Sequence, residues 1–299
     1  MSKENQKTTS DFDALDPRIK GCSPLIIPKR MSKRKKASRF AKRFFLVSPI
    51  LNDTDGKVVI SLMNYLLTLA YDGTNYCGFQ VQPNGRSVAA VFQDALEAVL
   101  GCRPDIKGCS RTDAGVHALG FMLNFHADTR IPAAKLPLAL NQHLPPDIRA
   151  LEARVVPDDF HARYAAHTKT YLYRIHNHPI DSPFDAAYYT RVPRHLDEAR
   201  MQAAAQQFVG RHDFLALCAA GSSAAAHGDT VRTITACGAE RQGEMVFITV
   251  TADGYLYNMV RILAGTLLEV GQHRLKPEDI PHILEGRDRS QAGPTLPAK

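Results

Sequence analysis

Between residues 64 and 156 the spacing of apolar residues changes from two to about 3.6 and back, which confines the chain to layers of strand and helix. "NYLLTLAY" (64–71) puts Tyr65, Leu67, Leu69 and Tyr71 on one face of a strand. After the turn chemistry of "DGTNYCG", Val88, Val91, Phe92, Ala95, Leu96, Val99 and Leu100 recur at helical spacing from Ser87 until Gly101 ends the run. A short strand is predicted near 105–109, and "GFMLNFHA" (120–127) alternates again. A helix is predicted over 133–142 despite Pro137, and "LEARVV" (151–156) reads as a strand. The order is β-α-β-β-α-β.

The second half repeats this pattern. "TKTYLYRIHN" (168–177) reads as a strand, and "HLDEARMQAAAQQFVG" (195–210) as an amphipathic helix closed by glycine. A hairpin joins 231–239 to 245–252, and helices are predicted over 257–271 and 277–286. If the halves are duplicates, the last strand is missing. The expected class is α+β, with two similar βαββαβ-type, ferredoxin-like halves (63–165 and 166–299) built on antiparallel sheets. An open sheet face of this kind is a platform for RNA.

Charge separates residues 1–62 from this body. That segment carries a formal +8, and residues 63–299 carry −1. "KRMSKRKKASRFAKRFF" (29–45) holds nine Lys/Arg and no acid, the composition of a solvated, disordered extension or a nucleic-acid arm. Met63 stands immediately before the first convincing strand and is a candidate start of translation. A polyanion site in the body requires a local cluster of cations. No run approaches the ~18 continuous apolar residues of a membrane span, and "FFLVSPIL" (44–51) lacks a cleavage site. Six cysteines without a CxxC pair are expected to be reduced thiols in a cytoplasmic protein.

Several chemistries lack their signatures. There is no GxxxxGK[ST], GxGxxG or HExxH, the twelve histidines show no ligand pairing with acids or cysteines, and Ser110 in "GCSRT" lacks the final glycine of a nucleophile elbow. Catalysis is therefore expected to use ordinary side chains, with no metal and no cofactor. The remaining candidate is Asp113 in "GCSRTDAGVHALG" (108–120), in a loop between predicted strands. Its carboxylate suits a nucleophile, a general base or an arginine-bound anchor, and a turn aspartate also caps its own backbone. Arg111 has the geometry to clamp phosphate. Tyr171 in "KTYLYR" is either a stacking platform or core, and Arg261 in "LYNMVR" either holds a carboxylate ionised or faces solvent.

The chain resembles the TruA-type tRNA pseudouridine synthases, whose signature core is R-T-D-A-G-V-H-A. "LAYDGTNYCGFQVQ", "ALNQHLPPDI", "FHARYAAHTKTYLYRI", "FVGRHDF", "DGYLYNMVRILAGTLLEVG" and "AGPTLPAK" match as well, in order over about 235 residues. Phe79 stands where the family usually has tryptophan, and family members continue past "PAK" into a last strand. The resemblance implies the pseudouridine synthase fold, with the active-site cleft between its halves. It also implies cofactor-free isomerisation of uridine at positions 38, 39 and 40 of the tRNA anticodon arm, by a cytoplasmic homodimer. In that reading Asp113 is the nucleophile, Arg261 its partner, Tyr171 a platform for uracil, Arg111 the base-flipping residue and Arg163 an RNA contact. His117 is expected to bond the loop backbone. The reading from a different class is a non-catalytic RNA-binding protein on the same scaffold; an RNA hydrolase lacks the metal or paired histidines it needs.

Overall fold

The computed structural model describes residues 62–83 and 85–298, together with the short strands Leu25–Ile27, Leu51–Asn52 and Val58–Val59. The basic block 29–45 lies outside the described residues. One ten-stranded sheet organises the rest, mostly antiparallel. Its main path runs Gly210–Asp213, Val231–Gln242, Met245–Ala252, Lys169–His176, Leu25–Ile27, His117–Ala127, Met63–Tyr71, Ile148–Val156. Leu25–Ile27 pairs in parallel with His117 and Ala118 and antiparallel with Thr170–Leu172, at the junction of the two halves. Helices pack onto this sheet, giving the expected α+β class. Among the described residues no helix is long and apolar enough to cross a membrane.

Local chemistry explains the elements that position the site. The helix Val88–Leu100 begins where the Ser87 side chain accepts the Ala90 N–H and ends at Gly101 in the left-handed region. Met63–Tyr71 is flanked on both sides, by His117–Ala127 and Ile148–Val156, and buries Tyr65, Leu67, Leu69 and Tyr71. The same strand carries the buried Asn64, whose amide donates to the carbonyls of Pro157 and Phe160. Asn124 donates to Asn64 Oδ1 and accepts from the Ala162 N–H. A paired polar network of this kind specifies one arrangement. Here it fixes the turn Ala162–Ala165 that bears Arg163.

Three elements differ from the sequence expectation. The helix predicted over 133–142 is a 3-10 turn, Ala133–Lys135, followed by Leu136–Leu140. Pro137 sits in the first turn, where no N–H is required, and the Asn141 side chain ends the helix by pairing with both backbone groups of Ala150. The strand near 105–109 is reduced to Lys107–Gly108. Gly210, read as the end of a helix, instead opens the edge strand Gly210–Asp213 on Val231–Gln242, while the preceding helix covers only Glu198–Gln207. "GRHD" has no apolar alternation, so backbone pairing alone makes it a strand.

After the helix Asp279–Gly286 the chain runs back along the buried helix Met259–Gly271. The approach is close: a Cβ on Gly265 would lie 1.8 Å from the Pro294 carbonyl oxygen. The Gly293 N–H donates to Thr266 Oγ1. Gly265→Ala should therefore force the C-terminal segment off the helix and cost about 1–3 kcal/mol, read as a lower urea midpoint at unchanged slope. A midpoint equal to that of the parent would contradict this packing.

Candidate active site

The loop from Cys109 to Val116 joins Lys107–Gly108 to His117–Ala127, and its conformation is held from several sides. Thr112 bonds the Tyr71 hydroxyl through Oγ1 at 3.0 Å and accepts the Phe79 N–H through its carbonyl. The Gly115 N–H reaches the Tyr76 carbonyl, and the Val116 N–H closes a turn onto the Asp113 carbonyl. Gly115 has φ +82°, and a Cβ there would meet the Ala298 carbonyl oxygen at 2.7 Å, so glycine is required both for its conformation and for the close approach.

His117 is buried and anchors the end of this loop. Its Nδ1 accepts at 3.1 Å the N–H of Gly73, a residue of the turn after Met63–Tyr71 rather than of its own loop. Asp72 Oδ1 lies 2.9 Å from the same nitrogen; burial lowers the His117 pKa and Asp72 opposes that fall. Asp72 in turn accepts from Thr74 and from the Tyr188 hydroxyl at 2.7 Å, linking the loop to the second half of the chain.

Arg111, Asp113, Arg163, Tyr171 and Arg261 all line one open cavity of about 660 Å³. The Asp113 side chain is 35% exposed, and Arg261 Nη1 stands 3.5 Å from its Oδ2. Burial raises the Asp113 pKa, and Arg261 opposes that rise. The guanidinium is itself held in place. Its Nη1 donates to Asn258 Oδ1 at 2.9 Å and its Nε to the Leu296 carbonyl at 2.6 Å. Asn258 adopts the left-handed conformation at the start of the helix. The Tyr173 hydroxyl donates to the Pro297 carbonyl at 2.8 Å, and burial pushes that phenol up to about 12, so it remains a donor.

Tyr171 is 9% exposed, with its ring edge-on to Tyr255 at a centroid distance of 4.9 Å. Arg111 and Arg163 are solvent-exposed on the cavity wall. Sequence reasoning missed Lys169, Arg232, Tyr255 and Asn258, which line the same cavity. Two of these had a readable signal: Lys169 shares a strand face with Tyr171 by the period of two, and Asn258 precedes Arg261 by one helical turn. The cavity presents five cations (Arg111, Arg163, Lys169, Arg232, Arg261) against two carboxylates (Asp113, Asp229), although the body as a whole has a formal charge of −1. Such a wall attracts a polyanion and leaves one carboxylate beside an aromatic floor. That arrangement can attack, or take a proton from, a planar group bound on the floor.

A family model described as tRNA pseudouridine synthase matches residues 68–165 and 204–299. The tRNA pseudouridine synthase A of Caldicellulosiruptor saccharolyticus is 45% identical over 236 residues, spanning 79% of this chain and 96% of that protein. The proteins of the same name from Moorella thermoacetica (46% over 235 residues, 78% and 94%) and Acetivibrio thermocellus (44% over 238 residues, 80% and 96%) are similarly related.

With Arg261 as the group opposing burial, Arg261→Met should leave desolvation unopposed and raise the Asp113 pKa further. Carbon-13 NMR titration of labelled aspartate carboxyls in both proteins measures this. An unchanged or lowered value would remove Arg261 from its role.

Proposed function

The chain belongs to the tRNA pseudouridine synthase family, and from that membership we propose that it isomerises uridine to pseudouridine at positions 38, 39 and 40 of the tRNA anticodon arm, with Asp113 as nucleophile. The observation that carries the reading is the Asp113 carboxylate, paired with Arg261 and facing a cavity floored by Tyr171.

The reaction is an isomerisation and balances without an oxidant or reductant. The bond from C1′ to N1 breaks, a bond from C1′ to C5 forms, and the proton on C5 is lost while N1 gains one. An ionised carboxylate starts it, by attack at C1′ of the ribose or at C6 of the uracil. Arg261 serves by keeping Asp113 ionised in surroundings that favour the neutral acid. Tyr171 offers its ring to the uracil, where stacking contributes about 1–3 kcal/mol.

The target base must first leave the helical stack, at a cost of a few kcal/mol. Arg111, two residues before Asp113, is suited to hold the opened backbone, and the exposed Arg163 of the same cavity grips phosphate. The cavity exceeds what one uracil needs, which leaves room for its ribose and flanking phosphates. The same reading makes the working unit a homodimer bridged by one tRNA, in the cytoplasm with its substrate.

An unmodified tRNA transcript with uridines in the anticodon arm, assayed for pseudouridine, tests the proposal. The parent should form product, and Asp113→Asn should form none at unchanged affinity. Binding without product in both proteins would favour the non-catalytic reading. Arg163→Ala should keep Asp113 chemistry at saturating RNA yet weaken binding, and lower the slope of log K against log salt by about 0.7–0.9. Filter binding across a salt series measures that slope; an unaltered slope would take Arg163 off the phosphate.

A further inference from the structure

At the opposite end of the strand Lys169–His176 from the cavity, two histidines and a glutamate converge that no step of the reaction uses. His176 closes that strand, His178 follows it, and Glu244 occupies the turn between Val231–Gln242 and Met245–Ala252. Sheet register brings them together: His176 pairs with Met245, and the Asn177 N–H donates to the Glu244 carbonyl at 2.7 Å. His176 Nε2 lies 3.2 Å from one Glu244 oxygen, and His178 Nε2 lies 3.6 Å from the other. One ligand atom from each residue falls within 4.8 Å of the other two.

We propose that His176, His178 and Glu244 bind a divalent zinc ion that staples the loop after Lys169–His176 to the neighbouring hairpin turn. Zinc bonds of about 2.0–2.2 Å in a tetrahedron separate neighbouring ligand atoms by roughly 3.3–3.5 Å. Each imidazole nitrogen stands near that distance from a different Glu244 oxygen, and with one ligand atom of each residue within 4.8 Å of the other two, small side-chain rotations would close the set around one ion. Two imidazoles with one carboxylate suit zinc and reject magnesium and calcium, which take oxygen ligands.

The surroundings supply a second, independent argument. A metal-bound imidazole needs its other ring nitrogen protonated and held by an acceptor. His178 Nδ1 is held by the Ile180 backbone, 3.0 Å from its carbonyl and 3.2 Å from its N–H, which fixes the ring with Nε2 toward Glu244 without choosing its tautomer. His176 is buried, and its Nδ1 has no hydrogen-bond partner. That nitrogen faces Asp181 Oδ1 at 3.8 Å, a carboxylate oxygen steadied by the Tyr189 hydroxyl at 2.7 Å. Coordination at Nε2 would favour Nδ1–H and draw this carboxylate in. Glu244 and His178 are 63% and 37% exposed, so an ion enters directly from solvent and water completes its shell. The stapled loop also carries Tyr188, whose hydroxyl bonds Asp72 beside the catalytic loop.

The experiment uses the full chain, stripped with EDTA, exposed to excess zinc chloride, desalted and measured for zinc by plasma mass spectrometry. His178→Ala and Glu244→Gln are run in parallel, with circular dichroism to verify their folds. The parent should retain one zinc per chain and melt at a higher temperature with zinc than without. Both variants should retain essentially none, show no zinc-dependent melting shift and still isomerise tRNA at the parent rate. A parent that holds no zinc after desalting, or variants that hold as much as the parent, would overturn the assignment. Zinc content is read independently of RNA modification, so neither result depends on the proposed reaction.

Discussion

One carboxylate, Asp113, sits where the protein has removed much of its water, and the contacts around the cavity bear on its charge. Burial alone pushes Asp113 toward its neutral form. A single guanidinium opposes this, and a mobile arginine would do so poorly, because holding a long side chain in one geometry costs rotamer freedom. The structure removes that freedom in advance. Asn258 and the Leu296 carbonyl take two of the Arg261 donors, leaving the guanidinium committed beside Asp113. The close crossing of Gly265 and Pro294 lies two residues before the Leu296 carbonyl that holds Arg261, so packing in the core bears on the charge environment of Asp113.

The site is divided between the halves. Asp113 comes from a loop of the first, and Tyr171 and Arg261 come from a strand and a helix of the second. Backbone pairing, aromatic contact and the Tyr188 bond to Asp72 hold these parts in register. Preorganised groups of this kind need no rearrangement at the moment of reaction. Cations are likewise concentrated rather than abundant. A body of nearly balanced charge gathers five of them around one opening, where their fields add.

What the sequence revealed, it revealed through short-range physics. The helix Val88–Leu100 was readable because one apolar stripe, one cap and one terminal glycine agree. Gly210–Asp213 was not readable, because an edge strand of polar residues is made by its neighbour's backbone. The turn at Leu136–Leu140 fell short of its predicted length because Asn141 competes for the chain through a contact with Ala150, beyond the reach of periodicity. The candidate site follows the same division. The Asp113 loop announces itself by composition, whereas Lys169 and Asn258 became visible once strand and helix faces were known.

Sequence by itself determined the order of elements, the α+β class, the resemblance to a tRNA-modifying family, and a set of five side chains that turn out to share one cavity. All of these depend on residues close in the chain or on motifs that recur in order. Tertiary structure alone decided that burial, opposed by Arg261, governs Asp113, and that the Leu296 carbonyl near the end of the chain holds Arg261 in place. It also decided that His176 and His178 meet Glu244 across a sheet. Desolvation, close approach and cross-strand register arise between segments distant in sequence, so they exist only after the chain has packed.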